Sequence, residues 1–100
     1  MQVENWNDLR VFLAVARSGQ IGTAARALRV DGTTVSRRLR RLEQSLGQRL
    51  VEQTREGQVL TRYGEDLLVR VERMAEEAAA LFQAGAQSRG LGGQIRLSVS

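Results

Sequence analysis

The stretch that most limits what this chain can fold into runs from residue 31 to residue 46, DGTTVSRRLRRLEQSL. Asp31 can cap the start of a helix, because its carboxylate can accept hydrogen bonds from free backbone N–H groups. The apolar residues recur at steps of four, three and four, which places them on one helical face: Val35, Leu39, Leu42 and Leu46. At about 100° per residue, polar side chains fall on or near the opposite face: Thr33, Arg37, Arg40 and Arg41. The pattern predicts a helix with an apolar back and an arginine-rich front, which suits the DNA major groove.

The charge distribution also indicates an anionic partner. The net charge of +4 comes from 15 cationic residues, all of them arginine. Residues 1–60 contain ten arginines and six acids, whereas residues 61–100 contain five of each. Because the whole excess lies in the first sixty residues, we expect the anionic partner to bind there.

The composition argues against several other functions. The chain has no cysteine and no histidine, which removes thiol nucleophiles, the usual zinc ligands and imidazole bases. An enzyme would therefore need a carboxylate pair, and the acids are scattered over predicted helix surfaces; we expect no enzyme and no cofactor. No apolar run approaches eighteen residues and no signal pattern opens the chain, so we predict a cytoplasmic protein that does not contact membranes.

Two shorter helices are predicted before residue 31. The first begins with a cap at Asn5 or Asn7 and ends near Ser18, and its core-facing residues are Leu9, Phe12, Leu13 and Ala16. The second covers residues 22–28, and its inward-facing residues are Ala24, Ala25 and Leu28. The four residues 29–32 form a turn of the length that joins the helices of a helix–turn–helix unit.

A short hairpin is predicted after Gly47, which can end the preceding helix. Residues 50–53 and 58–60 have strand character and flank a glycine-containing turn, residues 54–57. A hairpin in this position is a wing, with Arg55 near its tip and within reach of the minor groove or the DNA backbone. The alternative is that Arg55 is simply an exposed turn residue.

A long helix is predicted from a cap at Thr61 to about Ala86. Its apolar residues follow the a/d repeat of a coiled coil: Leu67, Val71, Met74, Ala78 and Leu81. Such a seam most simply pairs with a second copy of the chain, and the alternative is that it packs on its own domain. Residues 87–93 have the composition of a flexible hinge, and residues 94–100 alternate like the opening strand of a further, truncated domain.

These elements together resemble the N-terminal region of LysR-type transcriptional regulators over about residues 6–86. The resemblance is carried by an ordered set of motifs: Leu9-x-x-Phe12, Gly19, Ala24-Ala25-x-x-Leu28, Val35-Ser36-Arg37-x-Leu39-x-x-Leu42-Glu43, Leu46-Gly47-x-x-Leu50 and Leu60-Thr61-x-x-Gly64. It implies a mainly α fold, a winged helix–turn–helix over residues 1–60 followed by a dimerising linker helix over residues 61–86. The final strand is similar to the start of that family's effector-binding domain.

The resemblance also implies partners and contact positions. The chain would form a homodimer through the linker helix, the intact regulator would commonly act as a tetramer on a promoter, and its C-terminal domain would bind a small-molecule inducer. The family's groove-contacting positions fall on Gly32, Thr33, Ser36 and Arg37. The wing arginine falls near Arg55, and the phosphate contact at the start of the second helix falls near Thr23.

This chain departs from the family at two places. Most members open the recognition helix with Ser-Gln-Pro, where this chain has Asp31, Gly32 and Thr33. Asp31 keeps the capping role, but Gly32 has no amide with which to contact a base. In the first wing strand, the usual phenylalanine and arginine are replaced by Val51 and Gln53.

The resulting hypothesis is sequence-specific binding of double-stranded DNA by a dimer. The fork of Arg37 can donate two hydrogen bonds to guanine O6 and N7, and threonine and serine side chains can contact bases nearby: Thr33, Thr34 and Ser36. We expect the other helix arginines to contact phosphates or to remain solvated: Arg38, Arg40 and Arg41. The alternative from another class is a coiled-coil protein-interaction module without DNA specificity.

Overall fold

The computed structural model describes residues 3–92 and the side-chain environments of residues 5–85. Three helices are followed by a two-stranded hairpin and one long helix. The elements in chain order are α1 (Val3–Ser18), α2 (Ile21–Leu28), α3 (Gly32–Leu46), β1 (Val51–Thr54), β2 (Gly57–Leu60) and α4 (Arg62–Gly92). This is the predicted winged helix–turn–helix with its extended helix.

The boundaries of α3 follow from the residues at its two ends. Asp31 has an extended backbone, and its side chain accepts a hydrogen bond from the backbone N–H of Thr34. At the other end Gly47 adopts the left-handed conformation, with φ 68°, and its N–H donates to the carbonyl of Glu43. Both predicted caps are therefore confirmed, and they fix the length of the helix.

The three helices share one apolar core. Phe12 and Val15 of α1 and Val35 of α3 are completely buried. Ala24 and Ala25 lie between them, and their small side chains let α2 approach both other helices. The prediction for α1 needs two corrections: the helix begins at Val3 rather than at an asparagine cap, and its buried face includes Val11 and Val15 rather than Ala16.

The predicted wing is present as an antiparallel hairpin. Val51 pairs with Leu60, and Thr54 pairs with Gly57, which leaves Arg55 and Glu56 at the tip. The backbone of Gly57 has φ 126°, a conformation that side-chain-bearing residues rarely adopt. The predicted position of Arg55 at the wing tip is confirmed.

Helix α4 begins against the end of the recognition unit. The Thr61 hydroxyl accepts a hydrogen bond from the N–H of Gly64 at 3.0 Å, as expected of a cap. Gly64 lies directly against the carbonyl oxygen of Leu50, so closely that a Cβ at this position would collide with it.

The first turns of α4 correct the predicted dimer seam. Val71 belongs to the domain's own core, being only 3% exposed, and Leu67 and Met74 pack against that core. The a/d spacing brings residues to one face whether the partner is a second copy or the same domain, so spacing alone could not distinguish the two. Further along the same helix, Ala78 is half-buried and Leu81 is 71% exposed.

The same helix also corrects the predicted hinge. Backbone residues 87–92 continue α4, which ends at Gly92 rather than near Ala86. A helix that is already long gains one hydrogen bond for each residue added, and no proline interrupts it here. Residue 93 and the strand predicted at 94–100 lie outside the described residues, within which no helix is long and apolar enough to cross a membrane.

Candidate nucleic-acid interface

The exposed face of α3 is the centre of the candidate interface. Thr33, Arg37 and Arg40 are exposed, while Val35 and Leu39 on the opposite side are buried. The helical repeat that sends the apolar residues into the core therefore presents two guanidinium groups and a hydroxyl on a single outward face. This agrees with the face predicted from the sequence.

The start of α3 is organised around Asp31. The pKa of its carboxyl group lies below the ordinary value of 3.8, mainly because of hydrogen bonding with Thr34, first through its side chain and then through its backbone N–H. Desolvation opposes this shift, and the positive charge of Arg37 adds to it. Thr34, predicted as a base contact, is thus half-buried and directed toward the cap, which leaves Thr33 as the more accessible threonine.

Arg41, for which the sequence predicts a phosphate contact or a solvated side chain, also forms an ion pair with another helix. Its Nε and Nη2 atoms donate hydrogen bonds to the two carboxylate oxygens of Asp8, at 2.9 Å and 2.7 Å. Asp8 is a buried charged residue of α1, and only 3% of its side chain is exposed. The ion pair joins α1 to the flank of α3 and engages two nitrogens of this guanidinium, although about half of the Arg41 side chain remains exposed.

The remaining predicted residues of α3 lie on its two flanks. Arg38 is half-buried. Ser36 is also half-buried, and with Arg40 it lines an open groove of about 750 Å³ between α3 and the hairpin. On the hairpin side this groove is lined by glutamines, which include Gln53 and Gln58. Polar side chains therefore border the recognition helix on the side facing the wing.

Glu43 connects the recognition helix to the wing. Its Oε2 atom accepts hydrogen bonds from the backbone N–H groups of Leu50 and Val51, at 2.8 Å and 3.4 Å. Arg49 lies 3.7 Å from the same oxygen, and one of its guanidinium nitrogens donates to the carbonyl of Val51. A side chain of α3 thus binds the backbone at the start of the first strand, and these hydrogen bonds fix the position of the wing relative to the recognition helix.

The tip of the wing rests on the turn between α1 and α2. The N–H of Gln58 donates to the carbonyl of Gly19 at 2.8 Å, and the side-chain amide of Gln20 donates to the carbonyl of Glu56 at 2.9 Å. Arg55 is exposed beside these contacts.

Thr23 lies on the first turn of α2, three residues after Gln20. It is exposed, and its hydroxyl accepts a hydrogen bond from Arg26 at 3.4 Å. The second helix therefore offers a hydroxyl in its first turn, where backbone N–H groups also favour anions, and beside it a guanidinium from its last turn.

The roles of three residues that support this interface were not predicted from the sequence: Asp8, Glu43 and Gln20. Asp8 lies in line with Val11, Phe12 and Val15, and an acid on an apolar helical face indicates a buried partner. Glu43 and Gln20 gave no comparable signal, because their partners are brought to them only by the fold.

Comparisons with known proteins agree with this geometry. Residues 6–65 match the family model described as bacterial regulatory helix-turn-helix protein, lysR family. Among curated relatives, the HTH-type transcriptional regulator ClcR of Pseudomonas putida is 36% identical over 94 residues. That alignment covers 93% of this chain and 32% of ClcR, so the chain spans about a third of the relative's length.

Solved structures show the same arrangement. The structure of a complex of the CbnR DNA-binding domain with DNA has a TM-score of 0.72 and 32% identity, covering 90% of this chain and 97% of that one. CbnR itself, a LysR family transcriptional regulator, gives a TM-score of 0.75 at 30% identity, covering 88% of this chain and 29% of that chain. With the capped recognition helix, the wing and the long fourth helix in place, this chain belongs to the lysR family of bacterial regulatory helix-turn-helix proteins.

Proposed function

We propose that this chain is the DNA-reading part of a ligand-responsive transcription regulator and that it binds its operator as a dimer. The observation that carries the proposal is the outward face of α3, where Arg37 and Arg40 are exposed on a helix whose other sides are anchored. Asp8 holds one flank of that helix through Arg41, and Glu43 holds the wing on the other. A helix fixed in this way can present its side chains to DNA with little loss of conformational entropy on binding.

Base recognition is assigned to the first two turns of α3. Arg37 donates two hydrogen bonds to O6 and N7 of a guanine in the major groove. Thr33 is exposed next to it, and its methyl group can contact a thymine methyl or its hydroxyl a base edge. Ser36 and Thr34 are less accessible and are assigned secondary contacts.

Phosphate contacts surround this centre. Arg40 lies between the base-contacting residues and the groove beside the wing, and Arg55 lies at the wing tip. Thr23 and Arg38 complete the proposed set. Each contact of this kind adds affinity for every sequence and makes binding weaker as the salt concentration rises. Arg41 is left out of the set, because its Nε and Nη2 atoms already donate hydrogen bonds to Asp8.

The dimer is proposed to form through the second half of α4. Leu81 and Phe82 are 71% and 77% exposed in the single chain, although both are large apolar residues. Pairing with a second copy would cover them and present two recognition helices to a partly palindromic site. The tetramer and the inducer that the family resemblance implies remain predictions about the longer regulator, as does its cytoplasmic location.

The decisive experiment begins with selection of bound duplexes from a random DNA pool. Competition between the selected operator and a scrambled duplex then gives a specificity ratio for wild type, Arg37→Ala and Arg70→Ala. Arg70 is an exposed arginine of α4 outside the proposed interface, so it is the control for loss of one positive charge. We expect Arg37→Ala to lose about 1–3 kcal/mol of operator affinity and to relax the base preference at one position.

Three results would contradict the proposal. An unchanged specificity ratio in Arg37→Ala would remove the assigned base contact. An equal loss in Arg70→Ala would show that charge alone controls binding. The absence of any DNA binding at low salt would favour the protein-interaction module instead.

A further inference from the structure

Gln20 occupies a helix-capping position without capping the helix. Its backbone is extended, with φ −138° and ψ 132°, and its carbonyl accepts the first hydrogen bond of α2, from Ala24. Side chains at such a position usually accept from the free N–H groups of the first turn, but this side chain does not. Its amide instead donates to the carbonyl of Glu56, 36 residues further along the chain.

Two hydrogen bonds join this turn to the wing, one at the residue before Gly57 and one at the residue after it. The carbonyl before Gly57, that of Glu56, accepts from Gln20, and the N–H after it, that of Gln58, donates to Gly19. A Cβ on Gly57 would collide with the Gly19 carbonyl and lie 2.7 Å from the Gln20 amide nitrogen. The glycine therefore allows the wing to lie directly on the turn.

An anchor at this point matters because the wing has little support of its own. Its strands have four residues each, and an isolated two-stranded hairpin is only marginally stable in water. Glu43 holds its base at Leu50 and Val51, far from the tip. At the tip, Gln20 supplies the only side-chain hydrogen bond that comes from another element of the described chain, and it acts on the residue next to Arg55.

We propose that Gln20 is a positioning residue that fixes the wing tip and thereby sets the reach of Arg55 toward the DNA backbone. The same residue is the N-cap of α2, three positions before Thr23. Gln20 thus links the elements that carry two proposed phosphate contacts, the wing tip with Arg55 and α2 with Thr23. This inference rests on the proposed function, since it requires that Arg55 contact DNA.

The test uses the 100-residue chain and the selected operator. Gln20→Ser removes the amide but supplies a good helix cap, so the domain is expected to fold; Gln20→Met keeps the length of the side chain and removes the donor. We expect either variant to bind the operator roughly three- to tenfold more weakly, the factor that corresponds to one ordinary hydrogen bond. The dependence of affinity on salt should also decrease toward that of Arg55→Ala, which loses about one phosphate contact.

A double-mutant cycle separates positioning from general destabilisation. In the Arg55→Ala background, Gln20→Ser should have no further effect on operator affinity, because the contact that it positions is already absent. Amide hydrogen exchange at Arg55 and Glu56 should be faster in Gln20→Ser, while exchange in the core of α1 stays unchanged. Gln83→Ser, an exposed glutamine of α4, is the control for the substitution itself.

The possible failures are distinguishable. If Gln20→Ser binds like wild type, or if its effect simply multiplies with that of Arg55→Ala, Gln20 does not position Arg55. If Arg55→Ala leaves operator affinity unchanged while Arg37→Ala lowers it, the wing makes no contact with the DNA backbone. That result would overturn the role of Gln20 but would leave the proposed base recognition standing. If wild type binds no DNA, the proposed function itself fails.

Discussion

Arg41 of the recognition helix and Asp8 of the first helix form a two-pronged ion pair, with nitrogen–oxygen distances of 2.9 Å and 2.7 Å. Asp8 is buried, whereas about half of the Arg41 side chain is exposed. Removing the arginine would leave a buried carboxylate without its partner, which is much more costly than losing the attraction between two solvated charges.

Arg41→Ala is therefore expected to lower the free energy of unfolding by about 2–4 kcal/mol. Arg40→Ala is the matched control: Arg40 lies on the same helix and is exposed, and its side chain forms no hydrogen bond or ion pair with the side chains described for residues 5–85. That variant should stay within about 0.5 kcal/mol of wild type while weakening DNA binding at all sequences. Urea unfolding and DNA titration of both variants provide the comparison.

The same pair predicts a partial rescue. Replacing both residues by apolar side chains, Asp8→Leu with Arg41→Leu, should give a protein more stable than Arg41→Ala alone, since no buried charge remains. Equal stability of the double variant and Arg41→Ala would show that the Asp8 carboxylate does not destabilise the single variant by remaining buried without a partner.

Asp31 is expected to make stability depend on pH at the acidic end. Its pKa is lowered in the folded chain, chiefly by hydrogen bonding with Thr34, so its contribution is present above the unfolded-state value of 3.8 and is lost as the pH falls through the folded-state value. Asp31→Asn can still cap the helix but cannot titrate. The difference in unfolding free energy between wild type and Asp31→Asn should therefore be constant near neutral pH and change only as the pH falls below 3.8. Asp31→Ala, which cannot cap, should be less stable than Asp31→Asn at every pH.

Gly64→Ala is expected to destabilise the chain, although helix propensity alone would predict that it stabilises it. Alanine is favoured over glycine inside helices by about 0.5–1 kcal/mol, but here a Cβ would collide with the carbonyl of Leu50. That carbonyl also accepts the N–H of Thr61, so it is not free to move away. The substitution should cost about 1–3 kcal/mol in urea unfolding.

Gly85→Ala provides the control, since a Cβ built there meets nothing within 4 Å in the described part of the chain apart from its own helical turn. It should be neutral or stabilise the chain by up to about 1 kcal/mol. If both alanine variants were equally stable, the close approach of α4 to Leu50 would not be a constraint.

The two halves of α4 should respond differently to substitution. Val71→Ala removes buried volume from the domain's own core and should cost about 1–3 kcal/mol of stability. Leu81→Glu and Phe82→Glu change exposed residues and should leave the recognition domain folded while shifting the chain toward monomer. Analytical ultracentrifugation over a range of concentrations, with circular dichroism for the fold, distinguishes these outcomes. A dimer that survives both glutamates would place the interface elsewhere.

Local patterns predicted much of the fold because helices and turns depend on neighbouring residues. The spacing of four apolar residues predicts the buried face of α3, and Val35, Leu39 and Leu42 are buried there, whereas Leu46 at the helix end is 37% exposed. Asp31 and Gly47 predict the ends of the helix. The hairpin and the position of Arg55 at its tip follow in the same way from a glycine-containing turn between two strand-forming runs.

The sequence by itself thus determined that the chain contains a capped arginine-rich helix with a wing and a long helix after it. Only the tertiary structure decided which of these arginines has a partner within the domain. Arg41 forms an ion pair with Asp8, 33 residues away, whereas the side chains of Arg37 and Arg40 form no such pair among the described residues. It also decided that Val71 belongs to the domain's own core and that Gln20 holds the wing. Each of these outcomes depends on a pairing between residues distant in the chain, and helical periodicity describes only which face a side chain occupies, not what lies opposite that face.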